Sequence, residues 1–105
     1  MAKFILSEIA EEDFDIIYGY ICADNPDAAD RVQEAIIEGF ELLARNPQLG
    51  RLRRLGRRNV IRSFVVTQFT NYVIFYREFQ EGSGVEIVRV LNGRQDLERI
   101  FDDGR

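Results

Sequence analysis

The sequence has no histidine and no tryptophan, one cysteine, and a single lysine against thirteen arginines. Without histidine, the chain lacks the commonest general acid–base group and the commonest metal ligand. The lone Cys22 excludes an internal disulfide, which fits a protein of a reducing compartment. Neither phosphate-binding glycine motif, GxxxxGK[ST] or GxGxxG, occurs. These absences predict that the protein uses no metal, nucleotide or other cofactor.

Long hydrophobic runs are also missing. No apolar stretch approaches the ~20 residues that span a bilayer. The apolar start of the chain turns acidic by Glu8, which is too short for a signal peptide. We therefore expect a cytoplasmic protein without membrane contact. With 105 residues, the chain predicts one domain, residues 1–105, that can bury a modest core.

Charge is distributed very unevenly along the chain. Residues 1–41 carry two basic and eleven acidic side chains, a net charge of −9. Residues 42–77 carry eight arginines and no acid, and residues 78–105 carry four arginines and seven acids. The net charge of −4 therefore hides one basic zone on an acidic protein. Such a zone creates a local field that attracts an anionic partner, which could be a nucleic acid or an acidic protein surface.

The first half of the chain has helical periodicity. Ser7 is a suitable N-cap for a first helix that ends near Ala23. Asn25 and Pro26 then begin a second helix, which ends before Asn46 because Pro47 disfavours helical geometry there. Apolar residues recur at spacings of three and four in both helices: Ala10, Phe14, Ile17 and Ile21, then Ala29, Val32, Ile36, Phe40 and Leu43. So short a turn between two helices predicts an antiparallel hairpin.

The remaining segments predict a sheet. Strands are expected at 3–6, 60–67, 71–79 and 85–91, with a basic loop at 48–59 and one or two helical turns at 95–101. The order β-α-α-β-β-β with a short C-terminal helix predicts an α+β fold. In this fold, an antiparallel helical hairpin packs on a small, mainly antiparallel β-sheet. The other sheet face is then left open, or covered by something else.

Five phrases of the sequence, in this order and at this spacing, resemble the RelE/ParE toxin superfamily of bacterial type II toxin–antitoxin systems. They extend over nearly the whole chain. They are Ala10 with Asp13-Phe14, Ile17 and Tyr20-Ile21; Asn25-Pro26-Asp27-Ala28-Ala29; Asn46-Pro47-Gln48-Leu49-Gly50-Arg51; Tyr72-Val73-Ile74-Phe75-Tyr76-Arg77; and Val88-Arg89-Val90-Leu91-Asn92-Gly93-Arg94-Gln95-Asp96-Leu97. The second and third phrases look more like the ParE branch.

The branch determines the activity that the resemblance implies. RelE-like members are ribosome-dependent messenger-RNA endoribonucleases, whereas ParE-like members poison DNA gyrase by binding, and both are neutralised by an antitoxin. RNA cleavage requires proton transfer, and RelE-like nucleases often supply it from a C-terminal tyrosine or histidine. Here Phe101 stands at about that place, and arginine is a poor proton shuttle because its pKa is above 12. Tyr72 or Tyr76 could act instead only in an unusual arrangement.

The candidate site residues are all arginines, and no catalytic or metal-binding residue is assigned. Arg62, Arg77 and Arg89 each fall on a predicted strand among apolar neighbours. They either form a converging basic cluster on the open sheet face, or lie at an edge or rim, or pair with Glu78 or Glu86. Arg94 and Arg99 belong to the C-terminal end, which the resemblance makes part of the toxic surface. The basic loop is either a solvated charge run or an electrostatic docking surface: Arg51, Arg53, Arg54, Arg57 and Arg58.

The sequence therefore predicts a ParE-like toxin with no enzymatic activity of its own. Its expected partners are DNA gyrase and a ParD-like antitoxin with which it forms a hetero-oligomer, and direct binding of nucleic acid is not expected. Two alternatives stay open: a RelE-like messenger-RNA endoribonuclease that uses the arginines to hold phosphates, and a detoxified member kept as an interaction module.

Overall fold

The computed structural model describes residues 3–55, 59–79, 83–95 and 97–103. Within these ranges the chain forms three helices and five strands. In chain order they are β1 (Lys3–Leu6), α1 (Glu8–Asp24), α2 (Pro26–Arg45), β2 (Arg51–Leu55), β3 (Asn59–Val65), β4 (Tyr72–Glu78), β5 (Gly84–Asn92) and α3 (Leu97–Asp103). The predicted α+β class, with a helical hairpin on a mainly antiparallel sheet, is confirmed.

The helix boundaries lie where the sequence signals place them. The Ser7 side chain accepts a hydrogen bond from the backbone of Ala10, and that of Asn25 accepts one from Ala28, so both N-caps are formed. Pro26 occupies the first turn of α2, where its missing N–H costs nothing. The single residue Asn25 is thus the C-cap of α1 and the N-cap of α2, which forces the two helices into a hairpin.

The sheet has the strand order β1-β5-β4-β3-β2. Strands β2 to β5 form an antiparallel meander, and β1 adds parallel to β5. Gly84 opens β5 with a φ of +143°, a conformation that residues with a side chain rarely adopt. A Cβ at this position would also collide with the backbone of Lys3, so glycine is required for β1 to approach β5.

The helical hairpin covers one sheet face and forms the larger core. The predicted inner face of α2 is buried throughout, and the apolar stripe of α1 packs against it. Phe40 is central because its ring contacts those of Phe4 and Phe14, with centroid separations of 5.2 and 6.1 Å. From the sheet, Tyr76 and Ile74 are fully buried in this core and Tyr72 is partly buried, as their shared face predicts.

The opposite sheet face carries a second, smaller core that α3 covers. Phe101 of α3 is only 6% exposed and packs edge-on against Phe75, with ring centroids 5.0 Å apart. Ile61, Val73 and Leu91 complete the buried part of this cluster. The short helix predicted at the C-terminus therefore exists, and it closes the face that the sequence left unassigned.

One sequence expectation needs correction, and one strand has an irregularity that the sequence does not reveal. The segment predicted as a basic loop contains strand β2, because Arg51–Leu55 finds a partner in β3 that local propensity does not reveal. Strand β5 does not alternate regularly, because its pairing with β4 shifts register between Phe75 and Tyr76. The shift leaves Val88 without a directly opposed residue and reorients the Arg89 that follows it.

Candidate partner-binding site

The basic segment forms an outer strand of the sheet. Strand β2 lies at the end of the sheet order and pairs only with β3 within the described sheet. Arg51 and Arg53 lie opposite Ser63 and Ile61, so they project on the α3 side. Leu52 and Arg54 project on the other side. Arg51 and Arg54 are exposed and Arg53 is half-buried, whereas Arg57 and Arg58 lie outside the described residues.

Arg62 lies beside this strand but is held by neighbours. Its guanidinium donates to the Gly50 carbonyl at 2.8 Å and forms an ion pair with Glu78 at 3.5 Å. The sequence leaves open that this arginine pairs with Glu78, and the structure contains that ion pair. Arg62 lies opposite Tyr76, so it projects on the side of the helical hairpin. Its charge is therefore partly compensated before any partner arrives.

Tyr76 fixes the turn that leads from α2 into the basic strand. Its hydroxyl donates to the Pro47 carbonyl at 2.8 Å and accepts from the Gly50 N–H at 2.7 Å. A Cβ on Gly50 would lie 2.5 Å from that hydroxyl, so only glycine allows the turn to close on it. Burial raises the pKa of Tyr76, against the opposing effects of the Gly50 hydrogen bond and the Arg62 charge. The phenol is thus a neutral structural group.

Arg89 is paired inside the protein and does not meet Arg62 or Arg77. Its Nε and a terminal nitrogen contact the two carboxylate oxygens of Asp13, at 2.8 and 2.9 Å. The Asp13 Oδ2 also accepts the backbone N–H of Val90 at 3.0 Å. The hydrogen bond to Asp13 raises the pKa of Arg89, although burial opposes it. The Arg89 guanidinium therefore links β5 to α1.

The other candidate arginines are spread over the surface. Arg77 is exposed and follows Tyr76 on β4, so it projects on the sheet side opposite Arg62, across from Glu86. Arg94 is exposed in the turn after β5, and Arg99 is exposed on α3. The structure thus does not bring Arg62, Arg77 and Arg89 together as one cluster. Contact of these residues with a target stays a prediction.

A shallow groove lies on the helical side of the sheet, between α2 and the end of β3. It has a volume of about 230 Å³. Phe64 and Val66 line it from the sheet side and Gly39 from α2, where a Cβ would crowd the Ile74 side chain. The remaining lining residues are Ala35, Glu38, Leu42, Thr67 and Gln68. The groove is mainly apolar with one carboxylate, which suits a partner helix with an apolar face.

Within the described ranges, no group of three or more Cys, Asp or Glu side chains could hold a metal ion. In the same part of the chain, no helix has the length and apolar character needed to cross a bilayer.

Sequence reasoning missed two functionally placed residues. Asp13 reads as a surface or capping acid, yet it is 8% exposed and paired with Arg89. Its position on the helix face between Ala10 and Ile17 is a signal that could have indicated burial. Gly50 falls in the predicted basic loop. No local signal indicates that its N–H donates to the hydroxyl of Tyr76, which lies 26 positions later.

Comparison with known proteins agrees with this geometry. The sequence model of the ParE toxin of type II toxin–antitoxin systems, parDE, matches residues 4–97. The chromosomal ParDE system from P. aeruginosa contains a chain of similar fold, with a TM-score of 0.67 and 21% identity, covering 88% of this chain and 96% of that one. The RelBE2 toxin–antitoxin complex from Mycobacterium tuberculosis contains another, with a TM-score of 0.61 and 23% identity over 87% and 96%. No curated protein sequence matches.

Proposed function

The chain belongs to the ParE toxin family of type II toxin–antitoxin systems, and on that premise we propose that it is a cytoplasmic toxin that inhibits DNA gyrase by binding. A ParD-like antitoxin holds it inactive in a hetero-oligomeric complex. The neighbouring structures are toxin–antitoxin systems of similar fold, which supports an antitoxin partner.

One observation carries the choice of binding over catalysis. Two of the three aromatic residues considered for a nuclease role are used for structure, and the third, Tyr72, is partly buried against the larger core. Phe101 is buried against Phe75 and has no ionisable proton. The Tyr76 hydroxyl is occupied by Pro47 and Gly50, and its pKa is raised. Arginines can hold phosphates, but each missing acid or base forgoes a factor of roughly 10²–10⁴ in rate.

The groove between α2 and β3 supports antitoxin capture. An amphipathic antitoxin helix that fills it would contact Phe64 and Leu42 with its apolar face and leave its polar face in water. A segment that is disordered alone can fold on binding there. We expect the protein and its antitoxin to copurify as a stable complex. A toxin that stays monomeric beside the product of the adjacent gene would contradict this part of the proposal.

The activity is tested with purified protein in two parallel assays. In the first, gyrase supercoiling is expected to fall as the protein is added and to recover with antitoxin. In the second, translating ribosomes with messenger RNA are expected to yield no codon-positioned cleavage. Cleavage by the folded protein would overturn the proposal in favour of the RelE-like alternative. Inactivity in both assays would favour a detoxified interaction module.

Variants locate the gyrase-binding surface. Arg94→Gln and Arg99→Gln are expected to weaken gyrase inhibition, because both arginines are exposed near the C-terminal end. Arg31→Gln is the matched control, an exposed arginine on α2. Truncation after Leu97 is a poor test, because it removes the buried Phe101 and uncovers the second core. Equal inhibition by all three variants would place the surface elsewhere.

A further inference from the structure

Among the strands that the structure describes, none pairs with the outer side of β2, which is therefore a strand edge. Strand β1 ends the sheet on one side and β2 ends it on the other. On an edge strand, the N–H and C=O groups of alternate residues point away from the sheet and can pair with another extended chain. Such pairing supplies affinity through backbone hydrogen bonds, and the neighbouring side chains supply specificity.

The side chains of this edge select a partner by charge. Three of the five β2 residues are arginines, and neither β2 nor its neighbour β3 contains an acidic residue, although α3, which contacts β2 on the side of Arg51 and Arg53, has the acidic sequence LERIFDD. The nearby Glu78 is already paired with Arg62. Between the arginines, Leu52 is 59% exposed. On the hairpin side the edge presents Arg54 and the apolar Leu52, and on the α3 side it presents the exposed Arg51 and the half-buried Arg53.

This pattern distinguishes among possible occupants. A second copy of the chain paired through its own β2 would place arginines beside arginines, which is unfavourable. A nucleic acid would use the arginines but would leave the outward amide groups and Leu52 without matching partners. An acidic extended segment with one apolar residue satisfies all three features.

We propose that the β2 edge accepts an acidic, extended segment of a partner protein as a sixth strand. Acidic residues of the segment lie opposite Arg51, Arg53 and Arg54, and an apolar residue lies opposite Leu52. The proposal rests on the proposed function only if the antitoxin supplies the segment. Its test therefore uses isolated peptides with the full chain, so that its failure leaves the antitoxin complex and gyrase inhibition untouched.

Two short peptides test the edge and its polarity. An antiparallel partner of 51–54 reads acid-acid-apolar-acid, and a parallel partner reads acid-apolar-acid-acid. Glutamate and leucine fill these positions, with threonine on either side. The control has the same composition with leucine displaced by one residue, which moves it to the opposite face of the strand. We expect one matched peptide to bind more tightly than its control, and equal binding of both would overturn the proposed pattern.

Backbone methylation of the better peptide identifies strand addition. An N-methyl group removes one amide donor at a time. Only alternate amides face β2, so binding is expected to weaken by about fivefold at every second position and to change little between them. Hydrogen exchange should show protection of alternate β2 amides in the same complex. A uniform effect of methylation, without protection of β2, would overturn strand addition.

Arginine variants show whether the peptide is bound by the arginines of β2 or attracted by the positive charge of arginines elsewhere on the protein. The triple variant Arg51→Gln, Arg53→Gln, Arg54→Gln is expected to lose roughly tenfold in affinity for the matched peptide. The control variant Arg31→Gln removes an exposed arginine on α2 and is expected to change it little. Tighter binding of a single-stranded oligonucleotide, lost in the triple variant, would assign the edge to nucleic acid instead. If no peptide binds, the arginines only protect the edge from pairing.

Discussion

Two parts of the sheet treat exposed strand backbone in opposite ways: the stretch of β5 beyond the end of β1, here called the β5 margin, and the outer side of β2, the β2 margin. At the β5 margin, β1 ends at Leu6 while β5 continues. Beyond that point, Ser7 and residues of α1 form hydrogen bonds with the β5 backbone in place of β1. The Ser7 N–H and hydroxyl donate to the carbonyls of Ile87 and Val88, and Asp13 accepts the Val90 N–H. At the β2 margin, the described chain provides no further strand, and the strand carries three arginines.

The comparison shows that arginines of the same chain serve different purposes. Arg89 at the closed margin is paired with Asp13, so its charge contributes to cohesion and little to the outside field. Arg51 and Arg54 at the open margin are exposed. Within the basic zone, Arg62 is likewise paired, with Glu78, so Arg51 and Arg54 contribute more of the charge that a partner meets at this edge.

Breaking the closed margin is expected to have the largest effect. Asp13→Ala removes the partner of Arg89 and leaves the Val90 N–H without its acceptor. The Asp13 side chain is 9% exposed and that of Arg89 21%, so the freed guanidinium reaches water in part and the cost lies at the low end for buried pairs, about 3 kcal/mol. Denaturant unfolding measures this loss.

The matched control for Asp13 is Glu78→Ala at the open margin. The Arg62–Glu78 pair is longer, at 3.5 Å, and its side chains are 22% and 35% exposed. Its removal is expected to cost less than about 1 kcal/mol. Similar losses in the two variants would show that the two margins do not differ in this way.

Tyr76→Phe tests how firmly the open margin is attached. The variant leaves the buried Gly50 N–H and the Pro47 carbonyl without their shared partner. We expect a loss of about 2 kcal/mol in unfolding free energy, because a buried donor is left unsatisfied. Tyr18→Phe removes an exposed hydroxyl that bonds to Asp30, and it should cost much less. A Tyr76→Phe variant as stable as the parent would mean that the turn is held by other contacts.

Neutralising the open margin should leave stability almost unchanged. Arg53→Gln with Arg54→Gln is expected to change the unfolding free energy by less than about 1 kcal/mol for each residue, because both side chains reach solvent. Association with an acidic partner should become slower and less sensitive to salt. Stopped-flow mixing at several salt concentrations measures both. A large loss of stability with unchanged association would make β2 structural only.

The smallest effect concerns the hairpin at alkaline pH. The hydrogen bond to Asp30 and its negative charge raise the pKa of Tyr18 to about 12. A raised pKa means that the folded protein holds this proton more tightly, so the contribution is present below pH ~10 and lost as the pH rises through about 12. Tyrosinate absorbance should show this late titration, and Asp30→Asn should move it to lower pH. An unchanged titration would contradict the link.

The helical hairpin could be predicted almost completely from the sequence because its signals are local. Ser7, Asn25 and Pro26 set the ends of the helices, and apolar spacing set their inner faces. The sheet was predicted less well. Strand β2 was read as a loop because RLRRL has no strand pattern of its own and becomes a strand only by pairing with β3.

For the site residues too, some properties follow from the sequence alone and others depend on tertiary contacts. The excess of arginine between 42 and 77, and the lack of histidine, are properties of the sequence alone. The sequence therefore determined the basic zone, the limits on catalysis and the helical layer. Tertiary structure decided which charges are compensated, because Asp13 and Arg89 lie 76 positions apart and meet only when α1 packs on β5. It also decided that Arg51, Arg53 and Arg54 lie along an outer strand of the described sheet, since that strand forms only when the sheet assembles.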